Sequence, residues 1–261
     1  MDLTTLVGLL LAWGAVILSV LLEGGGLGAF LNLPAALIVI GGTLGVTVVG
    51  LPMRHAAGAV GVLMRAFFGR RVEAVEVAEL FTTLIRRARR EGVLALESEV
   101  KNIPNEFLRM GLQLVIDGTS QELLKEILDT EIKAMRTRHA VGQQIFTNSG
   151  GFAPTLGIIG TVMGLVNMLG KLDKPDEMGR NIASAFVATL YGVSIANLLF
   201  LPIANKLRAN SEEEQTAYEL AIEGLLALQA GESPRVAAAR MRSYLSPRSK
   251  QALELAGGVE R

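Results

Sequence analysis

The sequence predicts an all-α membrane protein: four transmembrane helices carrying a helical cytoplasmic domain. Three observations point there. Half of the 261 residues are hydrophobic and only 19% are charged, a balance typical of chains that live in lipid. Four stretches hold no charged residue over about 20 residues, the helix length that crosses a hydrocarbon core. The polar segments between them repeat their apolar residues at helical rather than strand spacing. The charge-free stretches are Leu3 to Leu22, Leu33 to Met53, Gly150 to Gly170 and Asn181 to Asn205.

Four segments follow: a transmembrane hairpin at 1–53, a cytoplasmic helical domain at 54–149, transmembrane helices three and four at 150–205, and cytoplasmic helices at 206–261. Span one starts Met-Asp without a basic leader, which favours a retained helix over a signal peptide. The Gly-rich turn Glu23 to Asn32 joins it to span two, which opens at Pro34, a position a first helical turn tolerates. The segment Arg54 to Ser149 holds 14 Lys or Arg, the tail from Lys206 eight, and the first turn none. Basic residues stay inside. The middle segment, the tail and both termini are therefore expected in the cytoplasm.

In the middle segment, Val75, Val77, Leu80, Leu84 and Ile85 form the apolar stripe of a helix over about 72–90. Gly92 interrupts it, and Val93 to Val100 resumes. Pro104 opens a short helix ending near Gly118. Thr119 and Glu122 read as a capping box for a long helix through Leu123, Ile127, Ile132 and Met135 that returns to the membrane. Beyond span four the helix continues through Leu220, Ile222 and Leu225. Ser233-Pro234-Arg235 and Ser246-Pro247-Arg248 each read as an N-cap followed by an N1 proline.

Span three, FAPTLGIIGTVMGLVNML, is rich in small residues, with Gly157, Gly160 and Gly164 and a proline at 154. Span four mirrors it with Ala185, Ala188, Thr189, Gly192 and Ala196, and carries Pro202 near its cytoplasmic end. Small faces at helical spacing serve helix packing; the competing reading is a lining, dotted with Thr161, Asn167, Thr189, Tyr191, Ser194 and Asn197, that holds another helix and passes an ion. An ion crossing a membrane pauses on an ionisable group, and none of the four spans contains Asp, Glu, Lys, Arg or His. Either the chain moves no ions or a partner helix brings the carboxylate.

The chain has no cysteine, and its two histidines, His55 and His139, read as structural, so neither a disulfide, a zinc ribbon nor a metal site is expected. Its net charge is zero. No phosphate loop and no convergence of nucleophile, base and orienting group argues for an enzyme. Arg86, Arg87, Arg89 and Arg90 with Glu91 and Glu97 form either a solvated helix face or a docking patch for an acidic protein surface. Interleaved acids and absent aromatics speak against nucleic acid.

The strings APTLGIIGTVMGL at 153–165, AFVATLYG at 185–192, LFLPIANKL around Pro202, ARREGVLALE at 88–97 and LQAGESPRV at 228–236 resemble the MotA family of bacterial flagellar stator subunits, called PomA or MotP in sodium-driven versions. The resemblance is collinear over nearly the whole chain. It implies a multi-pass protein of the bacterial inner membrane, assembled as a pentameric ring around a MotB-type single-span partner whose helix carries an aspartate. Flow of H+ or Na+ past that aspartate would turn the ring against the rotor protein FliG, driving motility. It further implies that Pro154 and Pro202 are conformational prolines and that Arg89, Arg90 and Glu97, with Arg86 beside them, face the rotor. Thr189 would face the partner's aspartate, with Thr161, Gly157, Gly164, Ala185, Gly192 and Tyr191 along the ion pathway. No cofactor is implied beyond the transported ion, for which the Thr161 hydroxyl favours sodium. The alternative is a TolQ- or ExbB-type energiser of an envelope-spanning partner. Relatives of that kind usually have one span before the cytoplasmic domain, so the hairpin Leu3 to Met53 argues against it. A third reading, a self-contained channel, would require ion flux from this chain alone.

Overall fold

A computed structural model of the chain describes residues 3–24, 26–52, 58, 61, 64, 72–170, 175–245, 247 and 250. Among these the secondary structure is helical throughout. Two compact units are present. One comprises Met1–Gly69 with Ala140–Arg208, the other Arg70–His139 with Ala209–Arg261.

The first unit holds the apolar helices. Helix α1, Leu3–Leu22, has no buried residue. A 3-10 turn at Leu27–Phe30 leads into α2, Leu33–Val49. Asn32 caps α2 by accepting the Ala35 N–H at 3.1 Å, and Pro34 sits in the first turn, where its missing N–H costs nothing. Within α2 the turn Leu37–Gly41 is π-wound. The span expected to reach Met53 ends at Val49: Pro52 biases the residue before it away from helix, and Met53 itself lies outside the described residues. Among the described residues, three helices are long and apolar enough to cross a membrane (Leu3–Leu22, Gln121–Leu169 and Met178–Gln229), and Leu33–Val49 is a shorter apolar one.

Span three is the C-terminal part of α6, Gln121–Leu169, and runs through Pro154 without interruption. Span four begins with α7, Pro175–Ile195, passes through a π-turn at Ala196–Phe200 and continues as α8, Leu201–Gln229. The π-turn immediately precedes Pro202, so the ladder that the proline would break has already changed its register.

The second unit is a helical bundle with an apolar core. Helix α3, Ala74–Glu91, buries Val77, Ala78, Phe81, Leu84 and Ile85. Val75 and Leu80, placed on that stripe by sequence, pack at its edge. Gly92, at φ +85°, ends α3. A 3-10 turn Val93–Leu96 and the single turn α4, Glu97–Val100, follow. Asn105 caps α5, Glu106–Ile116, through the Leu108 N–H at 3.0 Å.

The expected capping box at Thr119 and Glu122 is displaced by one residue. Gly118 adopts φ +75°, and the Thr119 N–H closes α5 by donating to Leu114 O at 3.1 Å, a Schellman ending. Thr119 is thereby committed to the helix before it, and Ser120 receives the Leu123 N–H at 3.4 Å instead. The buried face of α6 here is Leu124, Leu128, Ile132 and Met135, with Leu123 turned out.

Helix α8 brings Leu220, Leu225 and Leu228 to the same core. Gly224 allows α8 to approach the ring of Phe81, which would lie 2.6 Å from an added Cβ. Ser233 caps α9, Pro234–Arg242, as its motif predicts. Arg240 on α9 ties back to Glu223 (Nε to Oε2, 3.0 Å) and Glu232 (Nη1 to Oε1, 2.8 Å). The second Ser-Pro motif falls on Ser246 and Arg248, outside the described residues.

Candidate functional site: the contact of spans three and four

Backbone approaches backbone where spans three and four cross. A Cβ added at Gly157 would lie 2.8 Å from Ala188 O, and one at Gly192 would lie 2.5 Å from Ala153 O. At Gly160 and Gly164 the added atom would meet the Cβ atoms of Ala188 and Ala185, each at 2.7 Å. The small residues that sequence placed along an ion path are thus filled by each other. In the single chain Gly157, Gly164, Ala185 and Gly192 lie at the contact between two helices.

That close approach brings the two threonines together. Thr161 Oγ1 lies 2.6 Å from Thr189 Oγ1, 3.0 Å from Ala185 O and 3.2 Å from Gly157 O. Thr189 Oγ1 lies 3.4 Å from Gly157 O. Two hydroxyl protons therefore serve a set of four oxygens, and the bond between the threonines can run either way. All-oxygen sets suit protons and hard cations. Every oxygen here is neutral.

Tyr191, expected beside these residues, is engaged elsewhere. Its hydroxyl donates to Phe30 O and accepts the Asn32 N–H at 3.2 Å. Asn32 Nδ2 reaches Ser184 O at 3.1 Å and the Ser184 hydroxyl. The result bolts the turn between spans one and two onto span four. Asn32 and Ser184 escaped the sequence reading, although an asparagine two residues before Pro34 is itself an N-cap signal.

Pro154 is half-buried in α6, and Pro202 follows the π-turn. Phe186, Val193, Ile158, Val162 and Val166 leave apolar surface uncovered on the same two spans.

In the second unit the four arginines divide. Arg87 bonds Glu91 at 3.0 Å and also pairs with Glu99, and these carboxylates hold its guanidinium above its ordinary pKa. Arg86, Arg89, Arg90 and Glu97 are exposed and, among the described residues, have no ion-pair partner. Leu94, 73% exposed, stands among them. His139 binds the buried Ser211 hydroxyl through Nδ1 at 3.0 Å, and His55 lies outside the described residues. No group of three or more metal-binding side chains occurs among the described residues.

Comparison with known proteins places this geometry. Residues 99–220 match the model of the MotA/TolQ/ExbB proton channel family, and residues 6–92 match the motility protein A N-terminal model. Motility protein A of Bacillus subtilis is 37% identical over 96% of this chain and 93% of its own length. Chemotaxis protein PomA of Vibrio alginolyticus is 35% identical over 98% of this chain and 99% of its own. The flagellar MotAB stator complex of Bacillus subtilis superposes with a TM-score of 0.89 at 37% identity, covering 96% of this chain and 99% of that one.

Proposed function

Because the chain belongs to the MotA/TolQ/ExbB proton channel family, on its motility protein A branch, we propose the following account of how its residues serve that family's work. The protein is a multi-pass stator subunit of the bacterial inner membrane that couples ion flow to torque on the flagellar motor. Residues 54–149 and 206–261 form its cytoplasmic part, and no catalytic step is assigned to any residue.

One observation carries the account: the four apolar segments hold no Asp, Glu, Lys, Arg or His, while Thr161 and Thr189 gather four neutral oxygens at span contact. A site of that kind lacks only charge. The solved relative is a MotAB complex, and a MotB-type partner helix with its aspartate would supply the charge. Five copies of this chain around that partner would surround the carboxylate with hydroxyls and carbonyls. Thr189 then bonds the partner's acid and Thr161 backs it, with the extra hydroxyl favouring sodium as the coupling ion. Pro154 and Pro202 let spans three and four flex as the ion passes.

Arg86, Arg89, Arg90 and Glu97 meet the rotor protein FliG. Their lack of ion-pair partners among the described residues supports this, since a charge already paired has less to offer another surface. The N-terminal match over residues 6–92 favours the stator over an energiser of the TolQ or ExbB kind.

Reconstituted vesicles test the account. Vesicles holding this chain with its MotB-type partner are expected to conduct H+ or Na+, and vesicles holding the chain alone to be tight. Conduction by the chain alone would overturn it.

A further inference from the structure

Span four presents two faces to its own chain, about a third of a turn apart. Ser184, Val187, Ala188 and Tyr191 follow the i, i+3, i+4, i+7 spacing of one face of α7, and this face meets α2 and the turn before it. Ala35 packs there against Val187 and Ala188, with Phe30 and Tyr191 at the edge. Ala185, Ala188, Thr189 and Gly192 form the other face and meet span three. The rotation of span four about its own axis therefore sets what both faces touch.

The face toward span three does not itself fix that rotation. Its close contacts are glycines and alanines, which let two backbones approach but offer no long side chain to lock one helix against the other. The face toward α2 has directional bonds instead. The Tyr191 hydroxyl donates to Phe30 O and accepts the Asn32 N–H at 3.2 Å. Asn32 Nδ2 donates to Ser184 O at 3.1 Å and to the Ser184 hydroxyl, while Asn32 Oδ1 holds the start of α2 through the Ala35 N–H. Ser184 and Tyr191 lie about two turns apart on one face. A single tie would leave a pivot; two hold the helix against turning.

A side-chain oxygen between the Cα cylinder at about 2.3 Å and the helix rim at about 5–6 Å moves about 1 Å for every 15° of rotation. The Thr161 and Thr189 hydroxyls lie 2.6 Å apart, so a turn of that size decides whether they bond. We propose that Tyr191 is a positioning residue for this pair: its hydroxyl, with Asn32 and Ser184, holds span four at the rotation that brings the two threonines together. The inference rests on the pair lying on the ion's path. Tyr191 acts on the ion through Thr189, without touching it.

Variants of the full chain, expressed with the MotB-type partner, test this. Tyr191→Phe keeps the ring and removes the hydroxyl. It is expected to reach normal membrane abundance and to raise the ion concentration at half-maximal swimming speed about fivefold, the effect of one net hydrogen bond lost. Sodium is titrated at fixed pH and H+ at fixed sodium, and the midpoint is read for whichever ion the parent chain answers to. Tyr191→Phe combined with Thr161→Ala is expected to behave as Thr161→Ala alone, because the pair it positions is already gone. Ser184→Ala removes one bond at the other tie and is expected to shift the midpoint the same way by less. An unchanged midpoint in Tyr191→Phe, or a shift that adds in full to that of Thr161→Ala, would overturn the proposal. So would lost abundance in Tyr191→Phe beside an unchanged midpoint in Ser184→Ala, which leaves a purely structural tie. Thr161→Ala separates the two ideas. An unchanged midpoint there takes the pair off the ion's path and this inference with it, whereas an altered Thr161→Ala beside an unaltered Tyr191→Phe removes the role of Tyr191 alone.

Discussion

Thr161 and Thr189 hold their hydroxyl oxygens 2.6 Å apart across the contact of spans three and four. The pair has spare lone pairs and a proton that can run in either direction, so removing either hydroxyl changes what the other can offer. Thr189→Ala is expected to abolish swimming while the complex still assembles with its partner, with Thr189→Ser retaining motility. Co-purification with the partner and swimming speed check this together. Loss of the complex in Thr189→Ala would make the residue one of packing.

Thr161→Ala deletes one hard-cation ligand and leaves Thr189 bonded only to Gly157 O. Speed measured against external sodium at fixed pH is expected to lose sodium dependence or to shift its half-saturation upward. An unchanged curve takes Thr161 out of the ion's path.

Gly157 and Gly192 face backbone, which cannot move aside as a side chain can. Gly192→Ala would bring its Cβ to within 2.5 Å of Ala153 O, and overpacking of this kind costs about 1–3 kcal/mol. The expected outcome is reduced membrane abundance of the assembled complex, with Gly41→Ala, where an added Cβ meets nothing within 4 Å, as the neutral control. Quantitative immunoblotting of membranes compares the two.

Arg90→Glu reverses a charge that has no partner among the described residues. Stability is expected to change little, since exposed pairs contribute about 1 kcal/mol or less. Swimming is expected to fail, and a compensating acidic-to-basic change on FliG to restore part of it. Absence of any rescue over a panel of such changes would argue against an electrostatic contact.

Tyr218 offers a pH test outside the membrane. It stacks on Phe107 at 4.1 Å, accepts the Asn105 amide and donates to Glu214 at 2.9 Å. Burial, with the Glu214 carboxylate beside it, pushes its phenol from 10.0 up to about 12, against the hydrogen bond from Asn105. A group whose folded pKa is raised contributes stability below its unfolded pKa and loses it as pH rises through the folded one. Melting temperature is therefore expected to fall between about pH 10 and 12, and less steeply in Tyr218→Phe. Equal slopes would contradict the assignment.

The sequence and the structure agree where one physical constraint dominates. Charge-free length gave the apolar helices, and Ser233-Pro234 gave the start of α9, because capping chemistry is local. Thr119 misled because the glycine before it turns the chain and commits its N–H to α5; the cap then falls to Ser120. The four arginines looked alike in sequence, yet only Arg87 finds carboxylates at both i+4 and across the turn at Gly92. The hydroxyls of Thr161 and Thr189 were legible as polar atoms in an apolar face, but their meeting was not, because it depends on the depth to which Gly157 and Gly192 let two backbones sink together. Tyr191 was read with that group for its hydroxyl, and in the single chain that hydroxyl meets the turn at Phe30 and Asn32.

Helix α1 fully buries none of its residues against its own chain. Its residues therefore answer to lipid and to neighbouring subunits, and evolution is free to exchange one aliphatic for another there while the sum of hydrophobicity is kept. Asn32, a few residues further on, has no such latitude: it caps α2 and ties the turn to span four through the same amide, so drift in the one and constancy in the other should stand side by side within a single hairpin.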